Sequence, residues 1–156
     1  EEAISRQSSN DIFLNADAEK AVDGIIDPYW NEADDNRFNS ISKTQDEVNP
    51  WWEVVLGGDY EIHDVIIYNR LDDSYIDVLS NFTVWIIDDN EESDPNKNNT
   101  KVQYDVSVVE AFDRYHIRVD PATIGRRVRI TLNKKGSLQL AEVVVMGRDA
   151  TSCGTQ

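Results

Sequence analysis

Arg70 and Asp72 stand two residues apart in the stretch Asn69-Arg70-Leu71-Asp72, where a predicted strand runs into a loop. Binding residues commonly occupy loops that a rigid sheet positions. An arginine can donate paired hydrogen bonds to carboxylate or sulfate oxygens, and a neighbouring carboxylate can orient its guanidinium group. The pair therefore predicts a polar ligand site at the end of this strand.

Cations are scarce in the first half of the chain. Residues 1–78 contain 19 acidic and 5 basic side chains, whereas residues 79–156 contain 11 and 10. The five basic residues are Arg6, Lys20, Arg37, Lys43 and Arg70. A net charge of −15 argues against a nucleic-acid partner, because binding to phosphates requires clustered Lys and Arg. The acidic surface either serves solubility or supplies some of the oxygen atoms that hold a calcium ion.

Glu142 interrupts the apolar stretch Leu138–Met146. An unpaired carboxylate in a buried strand would be costly, so this side chain needs a partner. One interpretation is that Glu142 faces solvent or pairs with Arg148 or Lys134. The other, which we favour, is that its oxygens bind a calcium ion, which prefers carboxylate and carbonyl ligands.

Catalytic motifs are lacking. The two histidines, His63 and His116, each lie within a strand pattern without a Ser or Cys partner nearby, which is typical of surface residues. The chain contains no nucleophile elbow, phosphate-binding loop, dinucleotide-binding motif or zinc-protease motif. Thirty carboxylates could supply a glycosidase pair, but no pair is specified. We predict that the protein is not an enzyme.

The elements that must position these residues are strands. Runs rich in β-branched and aromatic residues occupy Trp51–Leu56, Ile62–Tyr68, Phe82–Ile87, Tyr115–Val119, Val128–Leu132 and Leu138–Met146. Turn residues separate them, such as Gly57-Gly58-Asp59 and Asp120-Pro121. A short helix is predicted over Ala16–Val22, with Asn15 as its N-cap. Six or more short strands predict an all-β sandwich.

Chain length and composition indicate one domain. The 156 residues fit a single domain over residues 1–150 with a tail or linker at 151–156. The single cysteine, Cys153, cannot form an intrachain disulfide. The chain begins at Glu1 without a signal peptide, as a mature product or an excised module would, and no apolar run reaches the roughly 20 residues needed to cross a bilayer.

Three stretches, in order along the chain, resemble the F-type lectin (fucolectin) family. Lys20-Ala21-Val22-Asp23-Gly24 is similar to the family's N-A-V-D-G turn. The stretch from Asn49 to Asp72, with Asn49-Pro50-Trp51-Trp52 and Asn69-Arg70-Leu71-Asp72 at its ends, is similar to N-P-W-W-x-V-D-L-G…N-R-x-D. Leu138–Gly147 is similar to the closing L-x-L-x-E-V-x-V-x-G. The resemblance implies a jelly-roll sandwich related to discoidin domains. Since Trp51 and Trp52 adjoin a strand, their side chains should point to opposite faces, one into the core and the other over an edge of the sandwich.

The resemblance also implies one structural calcium ion. Its ligands would be the side chains of Asp23, Ser40 and Glu142, and the backbone carbonyls of Lys20, Ile25 and Ala141. Such an ion would tie the first loop to the last strand and so make the binding loops rigid.

The family's sugar site combines a His, the motif R-x-D and a further basic residue. Arg70 and Asp72 match R-x-D, whereas Lys43 lies where the His would be and Asp77 where the last basic residue would be. Asp73-Ser74 replaces the family's adjacent cysteine pair. The carbohydrate-binding residues implied are Arg37, Lys43, Arg70, Asp72 and Tyr75, with Tyr29 and Trp30 as further aromatic rings that could stack on a sugar.

These departures point to an acidic ligand. Arg37, Lys43 and Arg70 fall in segments that resemble the family's sugar pocket, so we predict a fucose-containing, sulfated glycan. An equally weighted interpretation is that Arg37 and Lys43 only offset nearby carboxylates. We expect a secreted, extracellular module, attached to a polysaccharide-active enzyme.

Two other function classes are considered. A discoidin-like adhesion domain, which binds a protein or cell-surface ligand, would need exposed apolar side chains at its loop tips, whereas the candidate loops are mostly polar. A small glycosidase or lyase would need the catalytic pair that the sequence does not specify.

Overall fold

A computed structural model describes residues 2–11, 16–30, 40–89, 99–108 and 110–153. Its strands are β1 (Ile4–Gln7), β2 (Ser42–Lys43), β3 (Glu47–Val48), β4 (Trp51–Tyr68), β5 (Asn81–Ile87), β6 (Thr100–Ser107), β7 (Arg114–Leu132), β8 (Lys135–Gly136), β9 (Gln139–Leu140) and β10 (Glu142–Asp149). Two short 3₁₀ helices span Ala18–Val22 and Ala150–Cys153. The prediction of an all-β domain is confirmed.

Two long strands, β4 and β7, run through the domain, and here the predicted boundaries were wrong. The sequence predicted that one strand ends and another begins at Gly57-Gly58-Asp59, and again at Asp120-Pro121. In the structure a single strand continues through each of these turns. β4 and β7 pair antiparallel along most of their length, with register shifts between Val55 and Tyr60 and between Ile62 and Asp64. The turn residues therefore bend the paired strands instead of ending them.

The bend divides the strands between two groups of neighbours. The first half of β4 pairs with β1 and with the second half of β7, which continues to β5 and β6. The second half of β4 pairs with β10 and with the first half of β7. Antiparallel sheets that share strands in this way enclose a core between them, as in a β-sandwich.

The core is formed by the inward side chains of both halves. Trp52, Phe82 and Ile130 come from one half and Ile62 and Ile67 from the other, and all five are fully buried. The Trp52 indole N–H donates to the Ala18 carbonyl oxygen at 2.9 Å, which fixes the 3₁₀ helix on the core.

Trp51, the other residue of the tryptophan pair, faces away from this core. Its ring packs against Arg129, whose guanidinium carbon lies 4.0 Å from the ring centroid. The expected division of the pair between the core and the outside of the sandwich is therefore confirmed.

The first 3₁₀ helix is shorter than the helix that the sequence predicted over Ala16–Val22. The 3₁₀ helix begins at Ala18, and Asp17 is its N-cap, although without a side-chain capping hydrogen bond. The predicted cap, Asn15, lies outside the described residues. Gly24 follows with φ at +79°, a left-handed conformation that favours glycine and does not continue the helix.

The two-stranded ribbon of β2 and β9 places the polar residues Lys43 and Gln139 opposite each other. Ser42 pairs with Leu140 and Lys43 with Gln139. β9 is separated from β10 only by Ala141, so the predicted single strand Leu138–Met146 is broken there. Among the described residues, no helix is long and apolar enough to cross a membrane.

Candidate functional site

Arg70 is held at the end of β4 by two acceptors. Its Nε donates to Asp72 Oδ2 at 2.5 Å, and its Nη1 donates to Gln139 Oε1 at 2.6 Å. The residue is only 5% exposed. Since the Nε and Nη1 donors are already used, the guanidinium group has a fixed orientation and only part of its donor capacity remains for a ligand.

Two aromatic rings cover the Arg70 guanidinium. Its central carbon lies 3.8 Å from the Tyr75 ring centroid and 5.0 Å from that of Trp30. These distances are typical of cation–π contacts. Tyr75, predicted as a sugar-binding residue, therefore packs on Arg70 and is still 37% exposed, so its outer side remains accessible.

Asp72 links the two loops of the site. Its Oδ2 atom accepts hydrogen bonds from Arg70 and, at 3.0 Å, from the backbone N–H of Trp30. The Leu71 backbone N–H donates to the Pro28 carbonyl oxygen at 2.8 Å. The segment 28–30 is thus bound to the segment 70–72, and the structure brings Trp30, Arg70, Asp72 and Tyr75 together as predicted.

Lys43 reaches the same place from the β2–β9 ribbon. Its Nζ lies 5.7 Å from the Trp30 ring centroid and pairs with Asp11 Oδ2 at 2.9 Å. Asp11 was not foreseen, because it precedes Lys43 by a long stretch of chain and no motif marks it. With Asp11 and Asp72 present, the charges of Lys43 and Arg70 are balanced.

Gln139 is the second residue that sequence reasoning missed. It is 4% exposed and stands opposite Lys43 in the ribbon, where its side-chain oxygen accepts from Arg70. A polar residue at the start of the apolar stretch 138–146 was the available signal. Buried polar side chains are nearly always hydrogen-bonded, so Gln139 required a partner.

The other residues considered for the pocket are exposed in the same loop or lie outside the described residues. Asp77, which replaces the family's last basic residue, and Asp73-Ser74 are exposed in the loop after Asp72. Arg37 lies outside the described residues, so its predicted role stays a prediction. The histidines are surface residues, as expected: His63 lies beside Glu61 and His116 beside Asp64.

Glu142 is buried without the partners that a structural role would supply. It is 5% exposed, and its Oε1 accepts only a long hydrogen bond of 3.3 Å from the Gly24 backbone N–H. Its Oε2 has no hydrogen-bond partner among the described residues. Arg148 instead pairs with Glu61, and Lys134 donates to Ser80, so the two alternative partners considered for Glu142 are not used.

The surroundings of Glu142 raise the pKa of its carboxyl group. Burial raises this pKa from 4.5 to about 7, the hydrogen bond from Gly24 opposes the rise, and the negative charge of Asp23 adds to it. A buried carboxylate next to a second carboxylate is unfavourable unless a proton or a cation neutralises it.

Asp23 lies directly before Gly24, whose backbone N–H contacts Glu142, and Ser40 lies two residues before β2. The register that pairs Ser42 with Leu140 would, if extended by two residues, place Ser40 opposite Glu142. Ser40 is buried, and its hydroxyl donates to the Asp27 carbonyl oxygen at 2.9 Å. Asp23 is exposed in the turn whose Gly24 contacts Glu142, and its Oδ1 accepts from the Ile25 backbone N–H at 2.8 Å.

These residues suit calcium better than a transition metal. Within the described chain, no group of three or more His, Cys, Asp or Glu side chains could hold a metal ion. The proposed ligands are instead two carboxylates, a hydroxyl group and backbone carbonyls. Calcium accepts such mixed oxygen ligands. The partnerless Oε2 of Glu142 fits such an ion.

Several solved structures are similar to the chain. A fucose-binding module from Streptococcus pneumoniae, SpX-3, is 30% identical, with a TM-score of 0.73 and 92% of each chain covered. A variant lectin domain of lectinolysin in complex with Lewis b is 28% identical, with a TM-score of 0.77, over 94% of this chain and 92% of that one. A fucolectin from striped bass (Morone saxatilis) serum is 25% identical, with a TM-score of 0.73, over 93% of this chain and 46% of that one.

Curated protein sequences contain no match to the chain. The family model described as "NedA-like, galactose-binding domain", of the F5/F8 type C class, matches residues 20–130. This match begins within the 3₁₀ helix Ala18–Val22 and includes β2 to β6 and most of β7. The chain belongs to this F5/F8 type C, galactose-binding-like family, and its structural neighbours are fucose-binding modules and fucolectins.

Proposed function

We propose that this domain is a non-catalytic, calcium-stabilised module that binds fucose-containing glycans. The observation that carries the proposal is Arg70, a guanidinium group oriented by Asp72 and Gln139 and in contact with the rings of Trp30 and Tyr75. A fixed donor beside aromatic rings is suited to a sugar, which has hydroxyl groups on its edge and an apolar ring face. The similarity to fucose-binding modules supports fucose as the sugar.

The charge balance of the cluster favours a neutral sugar as the primary ligand. Lys43 and Arg70 face Asp11 and Asp72. A sulfated glycan, the ligand predicted from the cations alone, would have to draw Lys43 away from Asp11 or use Arg37. We therefore propose a fucosylated glycan in which sulfate is not required for binding.

A glycan array with matched neutral and sulfated fucosides tests this proposal. We expect neutral fucosides to bind, and Arg70→Ala to abolish binding. Since Arg70 is buried, the melting temperature of Arg70→Ala must be measured to show that the variant is folded. Lys43→Gln, at a more exposed position of the proposed site, provides a second test and should weaken binding. Arg118→Ala, at an exposed arginine on β7, is the control that should bind normally.

Two results would contradict the proposal. If folded Arg70→Ala protein bound every glycan as the wild type does, Arg70 would not be the anchor. If only sulfated glycans bound, the neutral-sugar proposal would be wrong and the ligand predicted from the cations would be correct.

Calcium is proposed as a structural ion held by Asp23, Ser40, Glu142 and the carbonyls of Lys20, Ile25 and Ala141. The residues themselves would orient the turn 23–27 against the start of β10, and the ion would supply the positive charge that Glu142 lacks. A partly exposed oxygen site of this kind suits the millimolar calcium outside cells, in line with the extracellular location that we propose.

A discoidin-like adhesion function is the second candidate. The prediction that the loops are mostly polar overlooked one segment, in which Ile25, Ile26 and Tyr29 are 56%, 51% and 56% exposed. Exposed apolar side chains at a loop can contact a protein or a cell surface. Ile25→Ser should leave glycan binding intact but abolish cell attachment if this candidate is correct, because the exposed Ile25 side chain lies outside the Arg70 cluster.

A further inference from the structure

A second concave surface adjoins the Arg70 cluster. It is a groove of about 560 Å³, lined by Ile26, Pro28, Tyr68, Leu71, Asp113 and Arg114. A volume of this size is within the range of small-ligand sites. None of these residues belongs to the predicted sugar site or to the proposed calcium ligands.

The groove and the Arg70 cluster share the same two chain segments. Leu71 lies between Arg70 and Asp72 in sequence, and neighbouring Cα atoms are only about 3.8 Å apart. Pro28, whose carbonyl oxygen accepts from the Leu71 N–H, lies two residues before Trp30. A ligand bound at Arg70 and extending past Leu71 would therefore enter the groove.

The groove offers the chemistry that a sugar needs. Tyr68, half-buried at the end of β4, supplies an aromatic ring, and Ile26, Pro28 and Leu71 supply apolar walls. Arg114 stands opposite Tyr68 in the β4–β7 register and is exposed. Within the described part of the chain, its backbone N–H bonds to Asp113, but its guanidinium group makes no hydrogen bond or ion pair.

The polar pair of the groove is neutral overall. Arg114 can donate to sugar hydroxyl oxygens, and the Asp113 carboxylate can accept from hydroxyl groups. Because the two charges offset each other, a charged sugar would gain little from this surface. The pair is instead suited to neighbouring hydroxyl groups on one edge of a neutral pyranose.

We propose that this groove is a second subsite, which binds a neutral pyranose of the same glycan whose fucose occupies the Arg70 cluster. The inference rests on the proposed function. It adds a reason why an oligosaccharide would bind more tightly than fucose alone. The groove selects for the sugars attached to fucose, whereas the Arg70 cluster selects for fucose itself.

Titration calorimetry of the full chain with methyl α-L-fucoside and with the Lewis b tetrasaccharide tests the subsite. Arg114→Ala should weaken tetrasaccharide binding about tenfold, the size of one lost hydrogen bond to a charged group, and weaken fucoside binding by much less. Arg118→Ala is the matched control, because Arg118 is an exposed arginine four residues further along the same strand. It should leave both affinities unchanged.

The outcomes separate the two proposals. If Arg114→Ala binds the tetrasaccharide like the wild type, or loses both ligands equally, the subsite is wrong, while loss of both ligands in Arg70→Ala would still support the Arg70 cluster. If the wild type binds neither ligand, the proposed function is wrong and the subsite is wrong with it.

Discussion

Two buried carboxylates, Glu53 and Glu142, have opposite electrostatic surroundings. Glu53 is fully buried and is contacted by three arginines: Arg6 at 2.8 Å and Arg127 and Arg129 at 2.9 Å each. Glu142 has a single long hydrogen bond from a backbone N–H. Cations of the protein itself thus neutralise one carboxylate, whereas the described residues offer the other no ion pair.

We predict that Glu53→Gln destabilises the domain by about 3–5 kcal/mol, because it leaves the buried Arg129 guanidinium without its counter-charge and Arg127 with Asp89 as its carboxylate partner. Urea unfolding gives this number. Glu61→Gln is the control, since Glu61 pairs with Arg148 at the surface and such a pair contributes at most about 1 kcal/mol. Equal losses for the two variants would contradict the assigned role of Glu53.

Glu142 should make the calcium-free protein sensitive to pH. Its folded-state pKa of about 7 is above the ordinary value of 4.5, so folding favours the protonated form. The free energy of unfolding should therefore fall as the pH rises from about 4.5 to about 7, by at most about 3 kcal/mol, with the reduction complete above that range.

The comparison with Glu142→Gln isolates this effect. In EDTA, the variant should lack this component of the pH dependence and should be at least as stable as the wild type at pH 8. Urea unfolding at pH 5 and pH 8 measures both proteins. An identical pH dependence in the two would show that Glu142 does not titrate in this range.

At the scale of the element, the turn signals were identified correctly but interpreted too strictly. Gly57-Gly58 and Asp120-Pro121 read as the ends of strands, yet β4 and β7 continue through them because each bends together with its partner. Local residue types show where the backbone can bend. Whether a strand ends there depends on hydrogen bonds to a distant partner, which local sequence does not contain.

The candidate site shows the same difference between what local sequence contains and what distant partners determine. The R-x-D pair and the lone Glu142 are visible in sequence, because their residue types are unusual for their positions. Asp11 and Gln139 are not visible, because they join the cluster only when β2 pairs with β9 and when β4 ends beside that ribbon. Prediction from one sequence thus found the residues that could bind, but not the neighbours that fix their charge and orientation.

Gly147 occupies a bulge at which β10 changes its register against β4. A Cβ atom there would lie 2.3 Å from the Glu61 backbone oxygen, and backbone cannot rotate away as a side chain can. We expect Gly147→Ala to cost about 1–3 kcal/mol or more.

Gly58→Ala is the matched control, because its Cβ would meet nothing closer than the Tyr60 ring at 3.7 Å. It should change the free energy of unfolding by less than about 1 kcal/mol. Thermal or urea unfolding of both variants decides the matter. Similar stabilities would mean that the strands adjust their register freely at the bulge.

At the scale of the whole molecule, the proposed calcium ion should appear as a change in stability. An ion that binds only the folded state, at a concentration one hundred times its dissociation constant, adds about 2.7 kcal/mol. For a domain of this size that corresponds to a rise in the melting temperature of roughly 5–10 °C.

Differential scanning fluorimetry in EDTA and in millimolar calcium measures this shift. Glu142→Gln should lose most of the calcium response, whereas Glu61→Gln, at a surface position, should keep it. A wild-type melting temperature that is the same in both buffers would contradict the calcium proposal.

The pairing of β1 and β10 with the same side of β4 determines how the domain can be anchored. Ile4 stands opposite Val55 and Asp149 opposite Tyr60, so both ends of the described fold leave the middle of β4 within about 17 Å along the strand. Tyr68, which precedes the loop proposed to bind the sugar, lies roughly 26 Å further on. A tether at either terminus should therefore leave the loop pointing away from the support, and biotin attached at one end or the other should give the same glycan affinity on a sensor surface.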